Sequence, residues 1–549
     1  MANAQDLLRR FDKLATDRAT WDSHWSEVAQ RVWPEADEFV GERQAGEKRG
    51  IDMYDSTASL ALEKLAAVLE YMLTPRNHKW SRLRAKDERL NEDDEIKAWL
   101  EDLNDLLFSL RNRPSASYYS QKHEAYKSLG CFGNGCEFVE ADPEGGIRYQ
   151  QVHIGQCYTE INDQGRVDTM FRRYPLSAKA AAQKWGKRIP EKVQGDLASD
   201  NPWRKSDYLH VVLPRINSFD PQRADARGMP FEAYDICVDT KDIIGVGGYR
   251  QFPYTYARYT VNPKERYGRG PIMFLLPTIK SLNAMMRTHL KMGQLLVAPP
   301  LLARHDGVIG LGRKNINLKS QAVNWGGLDE QGRPKVLPLH TGGSLDISFE
   351  MMAELRQVIN DACLVSLFQI LVEHPNMTAT EVLERAREKG ILMAPTVGRL
   401  QTEMLGPQVE REVDIVLRQG LIRRPPQSFL QSGGEYEIEY ESEATRMQGA
   451  AELIAIQRTI ELLAPFIQVD PTVLAMFKPY EVGRRSARVQ GVPMEVIRTQ
   501  AELEEFLDEE RQKQEAAMVA EAIPGGAKAI RDVAAAQKDL SSVPPPPGV

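Results

Sequence analysis

The chain has 549 residues, a formal net charge of −7 and an isoelectric point near 5.9. That length supports several cores, while the acidic balance argues against a protein that wraps nucleic acid tightly by neutralising phosphates. Cys131, Cys136, Cys157, Cys237 and Cys363 are scattered, odd in number and without zinc-ligand spacing, which argues against a disulfide framework and fits a reducing compartment.

Met1 to Phe11 carries Asp6, Arg9 and Arg10 and reads as the opening of a helix, not as a secretory leader. From Ala4 to Trp33 a stripe of Leu7, Phe11, Leu14, Trp21, Trp25, Val28 and Val32 predicts one long helix that stops at Pro34, its aromatics in a core or interface. Asp55 or Ser56 caps a second helix that is apolar nearly all round and therefore expected to be central. A turn and short strand over Pro75 to Arg84 precede a third helix capped within Asn91 to Asp94, and a fourth runs from about Ser115 to Leu129.

The period then changes. Cys136 to Glu140, Ile147 to Val152, Cys157 to Ile161 and Arg166 to Arg173 read as a meander of hairpins. A short helix, Ala178 to Trp185, follows, and strands return at Tyr208 to Leu213, Phe231 to Val238 and Asp242 to Phe252. Gly133-Asn134-Gly135 lies after a helix and before a strand, the reverse of a dinucleotide loop, and reads as a turn.

Gly268-Arg269-Gly270-Pro271 opens a helix with proline in its first turn. Leu275, Ile279, Leu282, Met286 and Leu290 share one face, while Lys280, Arg287 and Lys291 share another and interrupt what would otherwise be the best membrane-span candidate. Running to Val297, this helix spans about 40 Å and ends at Ala298-Pro299-Pro300. Residues 301–343 lose helical periodicity and read as a small sheet-bearing subdomain. A second helix follows from about Ser348 through Val372, its charges mostly acidic: Glu350, Glu354 and Asp361. The stripe Lys280, Arg287, Lys291 therefore has two readings. It either contacts phosphates or pairs with those acids, within one protomer or across a neighbour, and the complementary signs favour pairing. Glu373-His374-Pro375-Asn376 breaks the pattern, Thr378 to Glu381 restarts it with capping-box spacing, and kinks are expected at Ala394-Pro395 and Gly406-Pro407. A strand, Glu435 to Tyr440, and further helices between Ala444 and Ala520 lead to a proline-rich tail expected to be disordered.

No catalytic constellation emerges. Gly307 to Asn315 is glycine-rich, but Arg313 and Asn315 stand where a phosphate loop needs lysine and a hydroxyl. His289, His305, His340 and His374 lack metal-ligand spacing, and the acidic residues read as solvated faces and turns. No cofactor and no metal are expected.

Four stretches nevertheless stand in a telling order: Tyr54-Asp55-Ser56-Thr57-Ala58, Tyr267-Gly268-Arg269-Gly270-Pro271, the Leu296 to Pro300 exit, and Asn376-Met377-Thr378-Ala379-Thr380-Glu381-Val382. Through their order and spacing, up to about Pro493, the chain resembles the head-to-tail connector, or portal, proteins of short-tailed, podovirus-type bacteriophages. The resemblance implies an α+β, predominantly helical portal fold that assembles into a ring, usually a dodecamer, at one capsid vertex. Double-stranded DNA is packaged and later ejected through such a ring, and an acidic protein suits a conduit in which the duplex must slide. On that plan residues 1–265 are the wing, 266–298 the first stem helix, 299–346 the clip and 347–372 the second stem helix. Residues 373–379 are then the tunnel loop, 380–440 the return of the wing, 441–522 the crown and 523–549 the tail. His374, Asn376, Met377 and Thr378 become candidates for touching DNA. Implied partners are capsid and scaffolding proteins, terminase and tail or adaptor proteins, with the virion as location, the host cytoplasm during assembly, and no membrane anchor. The competing readings are a capsid or tail adaptor without a channel and a DNA-processing enzyme of the packaging machinery, the latter lacking its Walker motif.

Overall fold

The computed structural model describes residues 3–298 apart from 42–43, 45, 92, 200, 216–222 and 224, then 301–303, 319, 321–325, 327–334, 345–365 and 393–441, and short runs between 456 and 513. By their contacts the residues fall into two units, Met1–Met447 and Gln448–Val549. The described part of the first mixes long helices with four sheets. In the second, the described residues are helical, within 456–463, 480–487 and 503–513.

Helix α1 (Ala4–Val32) divides its apolar stripe between two cores. Leu7, Phe11 and Leu14 pack on a sheet with Tyr158, Phe171, Leu209 and Tyr234, whereas Trp25, Val28, Ala29 and Val32 enter the main core. Arg18 marks the handover. Only 2% exposed, it donates to the carbonyls of Ile154, Gly155 and Cys157, pairs with Asp22 at 2.9 Å and lies 3.6 Å from the Tyr158 ring centre. A buried cation persists only with partners of this kind.

Helix α2 (Thr57–Leu73) has Ser56 at its N-cap without a side-chain cap bond, and the Asp55 carboxylate, one residue earlier, accepts from the Thr57 amide at 2.9 Å. It is central through Leu62, Leu65, Ala66 and Leu69, although Leu60 and Tyr71 reach solvent. Strand β1 (Ser81–Ala85) and helices α3 (Asp94–Asn112) and α4 (Tyr118–Phe132) complete the helical layer.

The strands that follow are β2 (Asn134–Ala141), β3 (Ile147–Gln151), β4 (Cys157–Ile161) and β5 (Val167–Ser177). After α5 (Ala178–Trp185) and α6 (Glu191–Ala198) come β6 (Lys205–Pro214), β7 (Phe231–Cys237), β8 (Asp242–Tyr249) and β9 (Tyr254–Arg258). β4 to β8 form an antiparallel meander in sequence order, and β3-β2-β9 a separate sheet. Two expectations change here. α6 was not anticipated, and the strand expected from Asp242 to Phe252 ends at Tyr249. Pro253 cannot donate to a ladder, so beyond it the chain leaves the meander, and β9 pairs with β2, Phe138 opposite Tyr254.

His210 on β6 is buried, its Nδ1 2.6 Å from the Tyr254 hydroxyl, and burial pulls it down to about 4. Between that value and the ordinary one near 6.5 the unfolded chain binds a proton that the fold refuses, so stability falls as the pH drops through this window. His210→Gln is expected to flatten that part of the acid transition while changing stability at pH 7 much less. Thermal unfolding at several pH values measures it.

Helix α7 (Pro271–Val297) has Pro277 inside its first half. Parallel strands β10 (Leu301–Ala303) and β11 (Val323–Trp325) lie in the region expected to carry a small sheet, and α8 (Leu345–Ala362) follows. The helix expected to continue to Val372 is interrupted at Cys363-Leu364, where Leu364 takes a φ of +58°, uncommon for a residue with a Cβ. Residues 393–400 are helical. The irregularity expected at Gly406-Pro407 takes the form of a π turn, Gln401–Leu405, ahead of α9 (Gly406–Gln419), because Pro407 lacks the N–H that a regular turn needs. Glu403 in that turn binds the backbone and guanidinium of Arg258 at 2.6–3.1 Å. Helix α10 (Gln427–Gln431) and β12 (Tyr436–Tyr440), antiparallel to β1, close the unit.

The acidic residues are not all solvated, contrary to expectation. Glu137 and Glu412 are fully buried in one polar chain. Lys122 joins Glu137 to Gln408, Gln408 donates to Glu412 at 2.6 Å, and Glu412 takes the Tyr149 hydroxyl at 2.6 Å and the Arg111 guanidinium at 2.5 Å. α3, α4, β2, β3 and α9 are thereby stitched through groups that water cannot reach.

Candidate functional site

The start of α7 rests on close backbone contacts. Gly133 ends α4 in the left-handed region, φ +75°, and a Cβ there would collide with the backbone of Arg269 and Gly270. A Cβ on Gly268 would strike the Gly133 carbonyl, and one on Gly270 would lie 2.5 Å from that of Gly130. Asn134 fastens the contact in both directions, accepting from the Gly268 amide at 2.8 Å and donating to its carbonyl at 3.2 Å. Gly133-Asn134, read from the sequence as a plain turn, is thus the seat of the long helix. The adjacency of three glycines and an asparagine was visible in the sequence only as two separate turn signals.

A second joint ties α7, α8 and α2 together. Asn283 accepts from the amides of Tyr54 and Asp55 at 3.0 and 3.1 Å, and Asp55 holds Arg356 of α8 at 2.8 Å. Asp55 sits below the usual carboxylate range, because its hydrogen bonds to Thr57 and Arg356 outweigh its burial. Farther along, His289 meets the Ser348 hydroxyl. The two helices therefore run antiparallel, with His289 against Ser348 and Asp55 bridging Asn283 to Arg356.

Past Asn283, α7 has no fully buried residue among those described. Leu290, Met292 and Val297 are exposed there, as are Phe349, Met351 and Val358 on α8. The basic stripe does not pair with α8 within the protomer, as the complementary signs suggested it could. Lys280 binds Glu27 of α1 at 2.8 Å and holds that carboxylate low, while the Arg287 guanidinium lies 5.6 Å from the Tyr54 ring centre. The reason is rotational: α8 presents Met352 and Ile359 to the core, which turns Glu350, Glu354 and Asp361 outward into solvent. None of the ion pairs among the described residues joins these acids to Lys280, Arg287 or Lys291. Lys280, Asn283 and Arg287 instead line a cleft of about 550 Å³ with Arg31, Lys48 and Arg49.

His374, Asn376, Met377 and Thr378 lie outside the described residues, as does the glycine-rich run Gly307 to Asn315. All five cysteines are buried and unpaired. Among the described residues no group of three or more His, Cys, Asp or Glu could hold a metal, and no helix is long and apolar enough to cross a membrane.

A compact body that seats a long antiparallel helix pair on backbone contacts, and leaves that pair's apolar and charged faces open, is a component of an assembly, working through surfaces. The chain belongs to the bacteriophage head to tail connecting protein family, which it matches over residues 4–497, and it is a head-to-tail connector. It is 26% identical over 501 residues to the probable portal protein of Bordetella phage BPP-1, covering 89% of this chain and 88% of that one. It is 23% identical over 537 residues to the portal protein of Salmonella phage epsilon15, covering 96% and 95%.

Proposed function

We propose that the chain is the protomer of a ring, a dodecamer by family resemblance, that forms the DNA channel of the portal vertex in a phage capsid. The observation that carries this reading is α7, about 40 Å long, with α8 antiparallel beside it, seated on the body by glycine contacts and without a fully buried described residue past Asn283. In this reading α7 and α8 are the stem, the β10–β11 region belongs to the clip, residues 1–265 and 380–440 are the wing and 441–522 the crown. His374, Asn376, Met377 and Thr378 sit on the tunnel loop and touch DNA weakly enough to let it slide. The ring is passive, guiding and retaining double-stranded DNA while a separate ATPase drives it. Its partners are the major capsid and scaffolding proteins, terminase during packaging and tail proteins afterwards. Protomers meet through two different surfaces, the heterologous contact that a closing rotation requires.

Electron microscopy of the purified protein, with its mass in solution, tests the ring: closed rings with a hole wide enough for a duplex are expected. Rings in which residues 374–377 are replaced by glycine and serine should still assemble but package or retain DNA poorly. A chain that stays monomeric even with scaffold and capsid protein present overturns the proposal.

A further inference from the structure

Given a ring of such protomers, as proposed above, we propose that the acidic outer ridge of α8 from one copy docks into the basic cleft beside α7 of the next, so that the opposite charges lock neighbours together and do not serve DNA.

Three features carry this. The first is charge. The cleft gathers Arg31, Lys48, Arg49, Lys280 and Arg287, and Lys291 continues the same face of α7 one turn on. Its acids are fewer: Asp37 is committed to Ser26 and Gln30 at 2.7 and 3.1 Å, and Glu47 and Asp52 are exposed. Lys280 and Arg31 share Glu27 at 2.8 and 3.4 Å, which leaves the cleft cationic chiefly through Lys48, Arg49 and Arg287. Opposite charges across an interface select the partner and fix its register.

The second is height. A rotation about an axis running along the helix pair keeps every residue at its own level. With His289 against Ser348, antiparallel counting puts Glu350 at about the level of Arg287, Glu354 between the levels of Lys280 and Arg287, and Asp361 about one turn past Lys280. Glu350 and Glu354 of one copy therefore fall within the span of the cations of the next, so the two rows can face one another.

The third is apolar surface. Met351 and Val358 are exposed among the acids on α8, and Ala284 among the cations on α7. A ridge and a cleft that combine charge with apolar contact suit a permanent protein partner better than a sliding duplex, which offers only phosphates to such a groove. The partner on both counts is a second copy of this chain, because one protomer carries both cleft and ridge and, among the described residues, does not pair them with each other.

Two variants test the docking. Arg287→Glu with Lys291→Glu reverses the charge on the α7 wall of the cleft, and Glu350→Lys with Glu354→Lys makes the ridge basic. Each variant alone is expected to melt like the parent chain yet fail to form rings. Mixed in equal amounts they should recover rings of alternating composition, because every contact is again between opposite charges. Electron microscopy and native mass spectrometry read both results. Rings from either variant alone at the parent's yield overturn the inference and leave the portal reading standing, as do rings that form normally but lose retained DNA. Folded variants that assemble neither alone nor together also overturn the charge match. A parent chain that forms no ring removes the portal reading itself.

Discussion

Gly133→Ala is expected to lower the stability of the Met1–Met447 unit by about 3 kcal/mol or more, reducing soluble yield sharply. Two penalties combine. An alanine must adopt a φ of +75°, at a cost of about 1–2 kcal/mol, and its methyl must enter space filled by the backbone of Arg269 and Gly270, where overpacking adds about 1–3 kcal/mol. Backbone cannot swing aside as a flexible side chain does, so the collision moves α7 itself. Gly165→Ala is the control: it has nearly the same φ, +76°, but nothing within 4 Å of the added methyl. It should show the dihedral penalty alone. Denaturant unfolding of both variants separates the terms, and equal losses would mean that the close approach carries no energy of its own.

The second large effect is expected at Glu412. Truncation to alanine leaves the Arg111 guanidinium fully buried without its carboxylate and strips Tyr149 and Gln408 of an acceptor. Breaking a buried pair from one side costs about 3–5 kcal/mol. Arginine keeps its proton even when buried, so the orphaned cation cannot relieve itself by losing one. Replacing both members, Arg111→Met with Glu412→Leu, should recover much of the loss, since no charge then remains unpaired. A double-mutant cycle of unfolding free energies checks this, and additive losses would show that the two residues do not act as a pair.

Helices announced themselves in the sequence wherever an apolar stripe was long. α1, α7 and Ala178–Trp185 were read to within a residue or so, because amphipathic periodicity is a local signal. Pairings between distant segments left no such trace. β9 belongs to β2, more than a hundred residues earlier, and nothing near Tyr254 distinguishes that destination from a continued meander. The buried chain from Lys122 to Arg111 was invisible for the same reason: Glu137 and Glu412 look like any exposed glutamates until the fold closes over them. Of the candidate site, the basic and acidic stripes were legible as stripes. Their partners were not, because Glu27 precedes Lys280 by 253 residues and the rotation of α8 is set by Met352 and Ile359 burying themselves.

The glycine seat of α7 has a bearing on counting. A ring closes only if the turn from each subunit to the next divides the circle into equal parts, and a few degrees of swivel per subunit are enough to admit one copy more or one fewer. Side-chain packing gives by small rotamer changes, whereas the Gly133, Gly268 and Gly270 backbones touch directly and are pinned by Asn134. In the proposed ring, the helix that would meet a neighbour is thus set at an angle with very little play, a mechanical tolerance that would favour one subunit number over the adjacent ones.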